Sequence, residues 1–106
     1  IIPAEWMDKA TKVSSEILKN EPPERHIYGL GFWCNDQAQV WPDLPKDSFA
    51  ASGAGNQHIW ACPNLDLVVV QSPGIYRSRH TFDSDEQIED RRSMQGLLGR
   101  IVDSCL

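Results

Sequence analysis

Two β-type segments separated by a short turn do most to limit how this chain can fold. The first extends over about residues 49–62, and the second, over residues 65–71, is built mainly of leucine and valine. Pro63 and Asn64 between them are typical turn residues, so we predict an antiparallel hairpin. The small residues at positions 53–56 predict an irregularity within the first strand.

The same glycine-rich stretch is the best candidate for a functional site. Residues 50–55 include no side chain larger than that of Ser52. Glycine and alanine at such a place let main-chain N–H groups touch a ligand, as in an oxyanion hole or a carboxylate-binding edge strand. A glycine-rich turn without a ligand is the commoner structure for such a segment taken alone, and both interpretations stay open here.

Helical patterns lie at both ends of the chain. Residues 4–19 predict an N-terminal amphipathic helix. A C-terminal helix is predicted from Asp83 and Ser84 onwards, with Ser84 and Gln87 at the spacing of a capping box. The apolar stripe is Trp6, Ala10, Val13 and Ile17 in the first helix, and Ile88, Met94, Leu97, Leu98, Ile101, Val102 and Cys105 in the second.

The middle of the chain completes the predicted fold. Residues 27–34 alternate large and small side chains, which predicts a strand whose face at Gly29 and Gly31 meets another surface closely. Residues 35–48 contain two prolines and three aspartates, which indicates a loop. The predicted fold class is therefore α+β, an antiparallel sheet of three or four strands with an N-terminal and a C-terminal helix packed on it.

Composition excludes several functions. The chain has 106 residues, which is enough for one small domain, and its hydrophobic fraction of 41% can form a core. A net charge of −5 with scattered basic residues disfavours nucleic acid as a partner. No apolar run approaches the roughly 20 residues of a membrane span. The chain begins without Met and has no signal peptide, so we expect that a segment upstream was removed or not included.

The cysteines and histidines do not suggest a metal site. Cys34, Cys62 and Cys105 are far apart and odd in number, so buried free thiols are predicted, with one disulfide plus a free thiol as the alternative. The histidines (His26, His58 and His80) lack the spacing of metal ligands, and no cofactor is predicted.

Several motifs in order resemble one enzyme family. They are Tyr-Gly-Leu-Gly-Phe-Trp at 28–33, Ala-Ser-Gly-Ala-Gly-Asn-Gln at 51–57, Pro-Asn-Leu-Asp-Leu-Val-Val-Val at 63–70, and the final apolar helix. This series resembles the C-terminal part of the β-lactamase-family serine hydrolases, the penicillin-binding-protein-like group that includes class C β-lactamases and related esterases and peptidases. The resemblance covers most of the chain. It implies that residues 1–106 are a single partial domain, and it suggests a periplasmic or secreted location.

The resemblance also implies roles for three residues. In the family, the third motif (Lys-Thr-Gly or His-Ser/Thr-Gly) lies on the strand beside the active site. Ser52 matches its substrate-binding hydroxyl and Gly53 its glycine, and the backbone N–H of Ala54 would supply half the oxyanion hole. Ala51 stands where the family has Lys or His, so the resemblance favours a small ester or an altered specificity over amide or lactam substrates with a carboxylate.

The family's nucleophile motif, Ser-x-x-Lys, and its Tyr-x-Asn motif are both absent from these 106 residues. One hypothesis is therefore a hydrolase segment whose nucleophile comes from an upstream segment or a complementing chain. The alternative is a non-catalytic module that self-associates, or binds a partner, through an open sheet. Whether this chain is an enzyme by itself stays undecided at this point.

Two further groups contain residue types that occur in functional sites. On one continuous strand, Ser52 and His58 would lie roughly 20 Å apart, beyond hydrogen-bond reach, so a triad with Asp66 is not predicted. Large aromatic side chains on strands belong more often to a core than to a pocket. Core positions are therefore predicted for Trp33, Trp41 and Trp60.

Overall fold

The computed structural model of the chain describes residues 1–55, 57–72 and 84–106, and for residues 84–92 it describes the backbone alone. The predicted α+β class is confirmed, with a four-stranded antiparallel sheet and helices at both ends of the chain. The strands, in spatial order, are β1 (Trp33–Cys34), β2 (Phe49–Gly53), β3 (Gln57–Cys62) and β4 (Leu67–Gln71), and the helices are α1 (Ala4–Ala10), α2 (Ser15–Asn20) and α3 (Ser84–Cys105).

The single strand predicted over residues 49–62 is wrong, because the chain reverses direction within it. Gly55 has φ 81°, a left-handed conformation that glycine adopts without steric cost, and it lies in the turn after Gly53. β3 therefore returns along β2, with Ala50 opposite Trp60. The predicted hairpin between residues 49–62 and 65–71 is confirmed for β3 and β4, which are antiparallel.

The N-terminal helix is present but is divided into α1 and α2. The side-chain oxygen of Thr11 donates to the carbonyl of Met7, and Ser14 caps α2. Between them, the N–H of Val13 donates to Asp36 Oδ1 at 3.0 Å, a bond that a continuous helix would exclude. Of the predicted apolar stripe, Ala10 and Val13 are buried, Ile17 is half-buried and Trp6 is exposed.

The strand predicted over residues 27–34 is reduced to β1 and one isolated bridge between Tyr28 and Trp33. Gly31 has φ 95°, and the N–H of Gly29 donates to the carbonyl of Phe32, so the segment turns here instead of continuing as a strand. The close approach predicted at Gly29 and Gly31 is confirmed at Gly29 and is wrong at Gly31, where a Cβ atom would meet nothing within 4 Å. A Cβ atom on Gly29 would meet the backbone oxygen of Ala10, that of Lys12 at 2.5 Å and the Cys34 sulfur at 2.9 Å.

One face of the sheet is covered by α3 and by the loop of residues 35–48. α3 begins at Ser84, close to the predicted start, whereas the side chains of Ile88 and of the Ser84–Gln87 capping box lie outside the described residues. Leu97 and Cys105 are exposed, so the predicted stripe is too wide. The core consists of Val40, Trp41, Leu44, Ala50, Trp60, Cys62, Met94, Leu98 and Val102.

The loop of residues 35–48 is confirmed, and a single buried amide organises it. Asn35 Nδ2 donates to the carbonyls of Trp41, Leu44 and Pro45 at 2.9 to 3.1 Å. Its Oδ1 accepts the N–H of Trp41 at 3.0 Å. Asn35 is 0% exposed, so these bonds satisfy an amide side chain that cannot reach water. The amide thereby holds Trp41 and Leu44 against the sheet.

The opposite face of the sheet is largely uncovered. Ile59, Val68 and Val70 on this face are 52%, 63% and 66% exposed. The cross-strand register places Ile59 beside Val70 and Ala61 beside Val68. We refer to it as the open face, made of Phe49, Ala51, Ile59, Ala61, Val68 and Val70, none of which is charged.

Candidate functional site

The predicted site residues lie at the end of β2 and in the turn that follows. Ser52 and Gly53 are the last residues of β2, Ala54 belongs to the turn, and all three are exposed. β1 pairs only with Phe49 and Ala50, so it stops short of Ser52. The small side chains and the short β1 leave the main chain at this end of β2 accessible to a ligand.

The turn brings Ser52 against a histidine. His58 on β3 is the cross-strand partner of Ser52, and its Nδ1 lies 2.8 Å from Ser52 Oγ. In a neutral imidazole each ring nitrogen is either a donor or an acceptor. The Ser52 hydroxyl therefore either donates its proton to Nδ1 or accepts from Nδ1–H and keeps its own proton for another partner.

Ser52 and His58 belong to a row of polar residues across the sheet. On β4, Gln71 is the cross-strand partner of His58, so the three residues occupy one register position on the face that α3 covers. We call Ser52, His58 and Gln71 the polar row. The next position along the same face holds the apolar set Ala50, Trp60 and Val69, with Trp60 0% exposed. The polar row therefore marks the place where the core ends.

The estimate of about 20 Å between Ser52 and His58 is wrong, because it assumed one continuous strand. A turn centred on Gly55 places residues that are equidistant from it opposite one another, and this is the signal in the sequence that would have identified His58. Asp66 stays outside the site. It precedes Leu67, the first residue of β4, whereas Gln71, the partner of His58, is the last residue of that strand. Asp66 is therefore roughly 13 Å or more from His58.

Ala51 belongs to the other face of the sheet. Its cross-strand partner is Ile59, within the open face, because successive side chains of a strand point to opposite sides. A charged side chain at position 51 would therefore project from the apolar open face. The polar groups beside Ser52 come instead from β3 and β4.

The three tryptophans predicted for the core, at positions 33, 41 and 60, lie in it or pack against it. Trp41 and Trp60 are 2% and 0% exposed, and Trp33 is half-buried against the same cluster. The indole N–H groups of Trp41 and Trp60 have no hydrogen-bond partner among the described residues. Each such buried donor costs about 1–3 kcal/mol, which apolar packing in the core must offset.

All three cysteines are free thiols, so the disulfide alternative is wrong. Cys34 and Cys62 are buried as predicted, but Cys105 is exposed near the C-terminal end of α3. Burial, with a smaller effect of the Asp36 carboxylate, raises the pKa of Cys34 to about 12. Burial also raises the pKa of Cys62. Since the thiolate is the reactive form, the two buried cysteines are poor nucleophiles near neutral pH.

Within residues 1–55, 57–72 and 84–106, no three His, Cys, Asp or Glu side chains are grouped in a way that could hold a metal ion. Among the same residues, no helix has the length and apolar character needed to cross a membrane.

Comparison of the chain with protein-family models, with curated proteins and with solved structures gives no match. The resemblance to β-lactamase-family hydrolases therefore rests on the sequence motifs alone, and the roles of Ser52, Gly53 and Ala54 stay predictions.

Proposed function

We propose that this chain supplies the substrate-side strand of a β-lactamase-like serine hydrolase site, with the serine nucleophile contributed from outside these 106 residues. The observation that supports the proposal is the exposed end of β2, where Ser52 and Gly53 lead into Ala54 beyond the reach of β1. In this proposal Ser52 contacts the substrate and the N–H of Ala54 donates to the developing oxyanion. The substrate is a small ester, amide or lactam.

The role of the Ala54 N–H can be tested by removing only that donor. Ala54→Pro deletes the N–H, whereas Ala54→Ser keeps it and is the matched control. We expect the neutral amide p-nitroacetanilide to shift the backbone NMR signals of residues 52–55 in the wild type and in Ala54→Ser. In Ala54→Pro its apparent affinity should fall roughly tenfold, because one hydrogen bond to the carbonyl is lost. Equal binding by both variants would contradict the assignment.

The proposal that the nucleophile lies outside this chain is tested on the same preparations. Fluorophosphonate and penicillin probes are added, and the intact mass of the chain is measured. No adduct is expected on this chain, because its sequence lacks Ser-x-x-Lys. A covalent adduct on Ser52, or on any other serine of the chain, would overturn the proposal that the nucleophile lies elsewhere.

We also propose the second function, self-association, because the open face is apolar and uncharged. Two copies could pack these faces together without bringing like charges into contact, although each chain carries a net charge of −5. Three strands of about five residues give a footprint of roughly 15 by 16 Å. This is well below the roughly 800 Å² per partner of a stable interface, so the expected dimer is weak.

Sedimentation equilibrium between about 10 µM and 1 mM tests this second function. Val70→Lys places a charge against its symmetry-related copy, and we expect it to lower the association constant at least tenfold, an order-of-magnitude estimate. Leu97→Lys is the matched control, because Leu97 is also an exposed apolar residue, at 47%, but lies on α3. A wild-type chain that stays monomeric over the whole range would exclude self-association through this face.

A further inference from the structure

We infer that two copies of this chain pair through the outer edges of their β4 strands and form one continuous antiparallel sheet. The inference goes beyond the proposed function, because it uses neither the end of β2 nor the packing of one open face on another. It starts from the order of the strands, in which β4 is the last of the described sheet.

The outer edge of β4 has main-chain groups that a further strand can use. Among residues 1–55, 57–72 and 84–106, β3 is the only strand that pairs with β4. Successive residues of an antiparallel strand direct their N–H and C=O groups to alternate sides, so about half of these groups in β4 point away from β3. Val68 and Val70 are 63% and 66% exposed, so solvent reaches this strand from the open face. An extended strand binds at such an edge through main-chain hydrogen bonds.

The sequence of β4 is complementary to itself. When two copies of Leu67–Gln71 pair antiparallel with full overlap, Val69 lies opposite its own copy, and Val68 lies opposite Val70 of the second copy. Branched side chains such as valine pack well against cross-strand neighbours on a pleated surface. None of the five residues is charged, so two chains of net charge −5 bring no like charges together within the paired strands.

The two faces of the sheet select the same register. Residues directly opposite each other in an antiparallel pair lie on one face. With Val69 at the centre, Val68 and Val70 stay on the open side in both copies, and Val69 stays on the side of the core. A shift of one residue would place Val69 opposite Val68 or Val70 and mix the two faces. The centred register therefore has the longest overlap that keeps the faces in line.

A second copy suits this edge because the contact is then symmetric. A twofold axis at Val69 makes every contact occur in both directions, as in the isologous dimers that most homo-oligomers form. Pairing also joins the two open faces side by side into one apolar surface of roughly 30 by 16 Å. The contact leaves Ile59 exposed in both copies, whereas face-to-face packing would bury it.

Cysteine crosslinking tests the register directly. One preparation carries Val68→Cys and another carries Val70→Cys, and both carry Cys105→Ser because Cys105 is the exposed thiol among the three cysteines. In the inferred pairing, the Cα atoms of position 68 and of position 70 in the other copy are roughly 5 Å apart, within the range for a disulfide. Two copies of the same variant would hold their new cysteines roughly 8 Å apart, beyond that range. After oxidation by copper phenanthroline, we expect the mixture to form crosslinked dimer about tenfold faster than either variant alone, an order-of-magnitude estimate.

Ile59→Lys separates this pairing from the packing of open faces. The lysine blocks face-to-face contact but lies away from the edge of β4, so the mixture should crosslink at an unchanged rate in the Ile59→Lys background. The side chains of Ile59, Val68 and Val70 are all more than half exposed, so these variants are expected to fold as the wild type does. Equal rates for the mixture and the single variants, or loss of crosslinking in the Ile59→Lys background, would overturn the inference. Neither readout depends on a ligand, so both are independent of the Ala54 experiment.

Discussion

Replacing Asn35 with alanine is expected to lower the free energy of unfolding by about 3–5 kcal/mol. The variant removes four hydrogen bonds and takes the Asn35 amide away from the N–H of Trp41 and the carbonyl of Leu44. The carbonyls of Trp41 and Pro45 still accept from the N–H of Leu44 and from Ser48. Each unsatisfied buried group costs about 1–3 kcal/mol, and partial access of water to the loop reduces the sum. Urea denaturation followed by tryptophan fluorescence measures the change.

Asn20→Ala is the matched control for Asn35→Ala. Asn20 also donates its amide to a carbonyl, that of Glu16 at 3.0 Å, but it lies at the exposed end of α2. Water replaces that bond on the surface, so a change within about 0.5 kcal/mol is expected. Similar losses for the two variants would mean that the buried network of Asn35 does not stabilise the loop.

Gly29→Ala is the second substitution with a large expected effect. Its Cβ would come within 2.5 Å of the Lys12 oxygen and 2.9 Å of the Cys34 sulfur, and would also meet the Ala10 oxygen. Two of these three atoms belong to the backbone, so the segment that joins α1 to α2 has to move. We expect a loss of about 2–4 kcal/mol in unfolding free energy, measured by urea denaturation.

Gly96→Ala provides the opposite control. Gly96 lies within α3, and a Cβ atom there would meet nothing within 4 Å. Alanine is the better helix former, so this variant should gain about 0.5–1 kcal/mol. Gly29→Ala with stability equal to that of the wild type would show that the segment preceding α2 is not packed against Gly29.

The sequence was sufficient for the features that depend on local chemistry. Pro63 and Asn64 identified the turn before β4, the apolar spacing identified α3, and the alternation of small residues identified the close approach at Gly29. Each of these inferences needs only neighbouring residues, and tertiary contacts do not override it.

The errors in the prediction arose where a distant contact or one backbone angle decides the structure. Helical spacing over residues 4–19 could not reveal that Asp36, far along the chain, accepts the N–H of Val13 and interrupts the helix. Glycine and alanine at positions 53–55 are compatible with a bulge or with a turn, and the left-handed conformation of Gly55 decides for the turn. The same error concealed His58, because its place opposite Ser52 exists only after the chain reverses.

The position of β4 has a consequence for handling the protein. β4 is the last strand of the sheet among the described residues, and its sequence, Leu-Val-Val-Val-Gln, contains neither proline nor charge. Edge strands of this kind lack the lysines and prolines that normally prevent intermolecular strand addition, which can propagate into amyloid-like fibres. Among the described residues, the outer edge of β4 is therefore where we expect intermolecular strand addition to begin, and no charged side chain of β4 opposes it.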